Sequence, residues 1–171
     1  AGMTLPVLLV TLKPAFDARS YYADDRAFAG ALPIARAFVE AAVSGKAAKR
    51  RAEAMVTKAI GAAGAARILE LPMGMPFRAA IEKAGADHLL FVVHPRGEDW
   101  ALTTIRKNGD TFESRADLPE AWAGLTDGAL EAASGVKGAK FCHNGRFIAV
   151  ADSREAVLQM AGLAVAEAAQ G

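Results

Sequence analysis

Cysteine is almost absent from this chain. One thiol, Cys142, cannot close an internal disulfide, so the fold must be held by its core. Histidine is nearly as scarce: His88, His94 and His143 are too few and too scattered for most zinc sites. Charge of one sign is missing too. A formal net charge of +1 over 171 residues gives no general attraction to nucleic acid or membrane and leaves only local basic patches. No apolar run approaches a membrane span, and Leu5 to Leu12 is too short for a secretory leader. The Rossmann glycine pattern, the P-loop and HExxH are all absent, as are internal repeats and low-complexity tails. These absences point to a cytoplasmic location without a membrane partner. Ala1-Gly2 ahead of Met3 reads either as a remnant of expression or as the edge of a longer protein.

What is present describes a folded domain. Hydrophobic residues make up 53% of the chain and charged residues 23%, which excludes a disordered composition. Leu5 to Leu12 reads as a first strand stopped at Lys13-Pro14. From Arg26 onward, Phe28, Leu32, Ala35, Phe38, Val39 and Ala42 recur at helical spacing, with Pro33 inside the run. Gly45 marks a break, and an alanine-rich second helix follows over 47–63. Asp24 and Asp25 fit a helix start better than a metal pair.

Residues 67–71 then form a short strand, and 77–83 a short helix. The run His88 to His94 is nearly all apolar, as in a strand covered on both faces. Trp100 to Ile105 is its hairpin partner, with a further turn at Lys107-Asn108-Gly109-Asp110. Two more strands, around 139–142 and 147–150, precede a helix capped by Ser153. The expected fold is α/β of the α+β type: a mostly antiparallel or mixed sheet with packed helices and a helical N-terminal part. The division is 1–66 as an N-terminal strand and helical segment packed on the rest, and 67–171 as the α/β domain, the two forming one compact unit.

The densest polar cluster is His143-Asn144-Gly145-Arg146, between two apolar runs. Arginine holds phosphate oxygens through its planar fork, and imidazole and amide N–H groups add donors. Gly145 allows close backbone approach. Asn144-Gly145 equally suits the type I′ turn of an ordinary hairpin, and that turn does not exclude a binding role for its neighbours. Arg106 and Lys107 read as a solvated face. Cys142 sits in apolar surroundings and reads as a buried, inert thiol; adjacency to His143 makes no dyad, because neighbours in a strand face opposite ways. No acid–base or metal-binding constellation is complete.

Three ordered motifs carry a resemblance. They are Phe112-Glu113-Ser114-Arg115; Leu118-Pro119-Glu120-Ala121-Trp122-Ala123-Gly124-Leu125; and Phe141 with His143, Phe147 and Ile148. Together with Trp100, Ser134-Gly135-Val136 and Arg154-Glu155-Ala156, they resemble the C-terminal half of the MYG1 family, UPF0160, relatives of the DHH phosphoesterases. Arg106 stands where that family pattern has proline, and Ala101 where it has a basic residue.

The resemblance implies a DHHA1-like C-terminal domain, the substrate side of a metal-dependent phosphoesterase or exonuclease whose DHH half binds manganese. No such DHH set occurs in this sequence, so no cofactor or metal site is expected in the chain itself. Carried onto these positions, the implied phosphate site comprises Arg115 and His143, with Asn144, Gly145 and Arg146 beside them. The implied partners are a phosphorylated small molecule or single-stranded RNA, a DHH-type domain or protein, and a second copy of the chain. The competing reading is a structural or interaction domain, an oligomerisation module that kept the fold without the site.

Overall fold

The computed structural model describes residues 4–18 and 20–170. The reading of Ala1-Gly2-Met3 lies outside the described residues. The chain divides into two compact units, Ala1–Arg50 and Arg51–Gly171.

The first unit is helical. α1 (Leu5–Val10) forms where the sequence suggested a strand. A short apolar run does not distinguish the two states. Pro6 sits in the first turn of α1, where its missing N–H leaves no helical hydrogen bond unmade, and Thr11 Oγ1 donates to Leu8 O at the other end, 2.6 Å. α2 (Ala23–Ala63) starts with Asp24 and Asp25 in its first turn, where carboxylates favour the positive end of the helix dipole. It continues through Pro33 and Gly45, so the expected break at Gly45 is corrected: no neighbour crowds that glycine, and alanine-rich flanks carry the helix across it.

By length and composition α2 is long and apolar enough to cross a membrane, which corrects the expectation that no stretch approaches that size. None of its apolar window is buried. In this unit Phe28, Leu32, Phe38, Val39 and Val43 of α2 are exposed, as are Val7, Leu8 and Val10 of α1.

The second unit begins inside α2, earlier than the expected boundary at residue 66. Ala52 and Val56 are buried there, with Ala59, Ile60 and Ala63 packed alongside. Five strands form one mixed sheet: β1 (Ile68–Glu70), β2 (Phe91–Arg96), β3 (Asp99–Thr104), β4 (Ala139–Cys142) and β5 (Ile148–Ala151), in the order β1-β2-β3-β5-β4. β1 runs parallel to β2; the other pairs are antiparallel. α3 (Arg78–Lys83) joins β1 to β2, while α4 (Asp127–Ser134) precedes β4 and α5 (Arg154–Ala168) follows β5.

The apolar run seen in the sequence is explained by β2. Phe91 and Val93 enter one core cluster with Leu102, Leu130, Val157 and Met160; Val92, between them, enters a second with Val56, Leu69 and Ile81. Successive side chains alternate faces, and here both faces are covered. β2 and β3 meet in a tight turn with a positive φ at Gly97. Ser153 accepts from Ala156 N and caps α5 as its sequence position implied.

Gly138, just before β4, has φ +86°, and a Cβ added there would lie 2.2 Å from Asp152 Oδ1. Gly138→Ala is expected to cost about 1–3 kcal/mol through strain and displacement of Asp152. Gly128→Ala, in open space on α4, should stay within about 1 kcal/mol of the parent or gain stability. Urea denaturation of the two variants checks the contrast.

Candidate functional site

The site grows from the segment that leaves the end of β3. After Thr104 the chain makes a narrow excursion and returns, bridged at Arg106 and Ser114, with Lys107 N donating to Glu113 O, 2.9 Å. Asn108 Oδ1 closes its tip by accepting from Asp110 N and Thr111 N, at 3.1 and 3.0 Å. At the base, the buried Thr104 hydroxyl lies 2.9 Å from Ser114 Oγ, and Thr104 N donates to Phe147 O, 3.0 Å. These bonds hold the excursion beside the β4–β5 connection.

Between them lies an open groove of about 920 Å³. Arg78, from the first turn of α3, lines it with Arg106 and Lys107. Phe112 and Phe147 supply aromatic surface, and Thr103, Thr104 and Ser114 supply hydroxyls. Phe112 is 86% exposed, an orientation that no core packing explains. The Arg106 guanidinium lies over its ring, 4.3 Å from the centroid. Lys107 is paired with Glu113 at 3.1 Å. Among the described residues, neither Arg78 nor Arg106 has a carboxylate at ion-pair distance. Partial burial and the like charge of Arg106 both push the pKa of Arg78 below its ordinary value. An anion between the two guanidiniums would relieve that repulsion.

The sequence-derived candidates surround this groove without meeting in it. Gly145 lines it. A Cβ there would lie 3.2 Å from His143 Nδ1 and 3.3 Å from the Phe147 ring, so the missing side chain permits the close turn. His143 Nδ1 accepts from Gly145 N at 2.9 Å, and its ring centroid is 4.3 Å from that of Phe147. The imidazole thus supports a groove aromatic. Asn144 is exposed beside Gly124.

The guanidinium of Arg115 is committed elsewhere. Nη1 donates to Ala86 O and Leu89 O at 2.8 and 3.0 Å, and Nη2 to Asp87 Oδ1 at 3.1 Å. Arg146 reaches Asp117 Oδ2 at 3.1 Å. Its φ of 54° also corrects the expected type I′ turn. That turn needs positive φ at Asn144 and Gly145, whereas here Arg146 takes it and Arg146 N closes back on His143 O, 2.8 Å.

Arg78 carries no local motif and was not legible as a site residue. Arg106 and Lys107 looked like a solvated face because nothing in the sequence places Phe112 and Phe147 beside them. Burial pushes the Cys142 thiol up to about 11, so it stays protonated and unreactive near neutrality. Among the described residues, no three histidine, cysteine or acidic side chains are grouped to hold a metal ion.

Comparison with known proteins gives this geometry a family. The profile of the MYG1 exonuclease family, described as "Uncharacterised protein family (UPF0160)", matches residues 1–165. The chain belongs to the MYG1 family, UPF0160. The human MYG1 exonuclease is 36% identical over 80 residues, 46% of this chain and 21% of that protein. The MYG1 protein of Chlamydia muridarum is 46% identical over 66 residues, 38% of this chain and 23% of its own length. The MYG1 protein of Saccharomyces cerevisiae is 40% identical over 67 residues, covering 39% and 20%. The matched segments span about a fifth of these relatives. No solved structure matches the chain.

The motifs that resemble MYG1 proteins divide by task. Phe112 faces the groove, Ser114 holds its base, Arg115 anchors the α3–β2 connection, and Trp122 is buried in the core. The Arg115 side chain is only 12% exposed, and its truncation removes the donor to Leu89 O and leaves Ala86 O with the Leu89 N–H alone. Arg115→Ala is expected to lower stability by about 2–3 kcal/mol, with Arg115→Lys recovering only part of it. Chemical denaturation measures both.

Proposed function

We propose that the α/β unit of this MYG1-family chain binds single-stranded nucleic acid on its substrate side. Backbone phosphates would lie against Arg78, Arg106 and Lys107, and bases would stack on Phe112 and Phe147. The observation that carries this is the pairing of two arginines that, among the described residues, have no carboxylate at ion-pair distance with two exposed aromatic rings in one groove, whose own carboxylates, Glu113 and Asp117, are paired with Lys107 and Arg146. Cations that track phosphates beside rings that accept any base face are the usual means of holding a flexible strand. A double helix presents its bases edge-on and would leave both rings unused.

The name exonuclease borne by several relatives supports a strand as ligand, and a phosphorylated small molecule would use the same cations. In this proposal the unit is the DHHA1-like part of a larger assembly. Phosphoester cleavage, with its manganese, belongs to a DHH-type domain or protein working with it. His143, Asn144, Gly145, Arg115 and Arg146 shape and brace the groove.

Fluorescence anisotropy with a short single-stranded RNA tests the proposal. Binding should weaken with salt at a log–log slope of about −0.7 per neutralised phosphate, so roughly −1.5 to −2 for two or three contacts. Phe112→Ala should cost about 1–3 kcal/mol at all salt concentrations. Arg106→Ala should weaken binding and flatten the slope by about one contact. No binding at low salt, or binding indifferent to both substitutions, would sink it.

A second reading has its own observation. Phe28, Leu32, Val39 and Val43 of α2 leave an apolar surface open on the first unit, which suits an oligomerisation or interaction module. Light scattering should then find a dimer in the intact chain, shifting toward monomer in a Leu32→Glu/Val39→Glu variant. A parent that stays monomeric at all concentrations removes that reading.

A further inference from the structure

A second, much smaller cavity of about 40 Å³ shares lining residues with the groove. Arg78, Arg106 and Lys107 line both. Ile81 and Ile105 contribute apolar wall to the recess, and Arg115 adds a fourth cation to it. Ile81 and Ile105 are themselves buried in the core cluster, so the recess does not lead through the unit.

We infer that this recess receives the terminal phosphomonoester of the bound strand, held between Arg78 and Arg106. The inference rests on the nucleic-acid reading of the groove and adds an end preference to it.

Two observations support it. First, size: an internal phosphodiester has chain on both sides and cannot enter a blind space of about 40 Å³, whereas a strand end can present its phosphate alone. Second, charge: a phosphomonoester carries about −1.5 to −2 at neutral pH and a phosphodiester only one charge. Lys107 and Arg115 are already paired with Glu113 and Asp87, leaving Arg78 and Arg106 as the two cations that lack a carboxylate. Their mutual repulsion answers a dianion better than a single charge. Glu82, which also lines the recess, opposes any anion, but the four cations that line it keep the net charge of the wall positive.

The test uses the intact chain and one internally labelled single-stranded hexanucleotide with a 5′-phosphate, a 3′-phosphate, or hydroxyls at both ends. A phosphorylated end should bind about tenfold tighter than the hydroxyl-ended strand. Arg78→Gln and Arg106→Gln should erase that preference while circular dichroism shows them folded. Phe112→Ala should weaken all three strands equally and keep the preference. Equal binding of phosphorylated and hydroxyl ends overturns the inference and leaves the groove reading standing. Failure of every strand to bind overturns both. Inorganic phosphate is the remaining arm. If it competes with all three strands alike, with no end preference, the recess holds free phosphate and the inference is wrong.

Discussion

The α/β unit depends on one constraint, the burial of β2 on both faces. Phe91 and Val93 point into the cluster built with α5, and Val92 points into the one built with α3 and the end of α2. A strand with no solvent face has no freedom of register, because a slip of one residue would exchange its two sets of side chains between differently shaped cores. β3 inherits its register from β2, and β5 from β3. The groove is therefore set by the centre of the sheet: Thr103 and Thr104 at the end of β3, and Phe147 just before β5, are brought together by pairings that begin with Val92 and Val93.

Arginine is used in two ways around that groove. Arg115 and Arg146 are engaged with carbonyls and with Asp87 and Asp117, fastening the segments that carry the buried Leu89 and Leu118. Arg78 and Arg106 have no carboxylate at ion-pair distance among the described residues and stand together in an open groove. Holding two like charges close together is unfavourable without a ligand, and such spending of stability is common where a protein binds something. The aromatic pair shows the same division: Phe147 rests on His143, while Phe112 stands almost free under Arg106.

Membership of the MYG1 family agrees with this division of labour. The motif from Phe112 to Arg115 mixes one side chain that faces the groove with two that hold it in shape, and the motif from Leu118 to Leu125 contributes the buried Leu118 and Trp122 to the core. A family signature of this kind marks the frame of a site as much as the site. Of the positions carried over by resemblance, Arg115 bonds to the α3–β2 connection and His143 rests against Phe147.

By itself the sequence determined the local features whose cause is local. The β2 run, the Ser153 cap, the turn at Asn108 and the mixed character of the sheet were legible from periodicity, capping chemistry and turn residues. So was the family, through ordered motifs. Tertiary structure decided the rest. Leu5 to Val10 became helix, a state that a short apolar run leaves open, and α2 runs on through Gly45. Positive φ falls on Arg146 and not on Asn144-Gly145, and the Arg146 side chain reaches Asp117 across the fold. Arg78 and Phe112 became neighbours of one groove although they lie far apart in the chain. Local preference is written in a few adjacent residues, but which charges remain unpaired is known only after every other charge has found its partner.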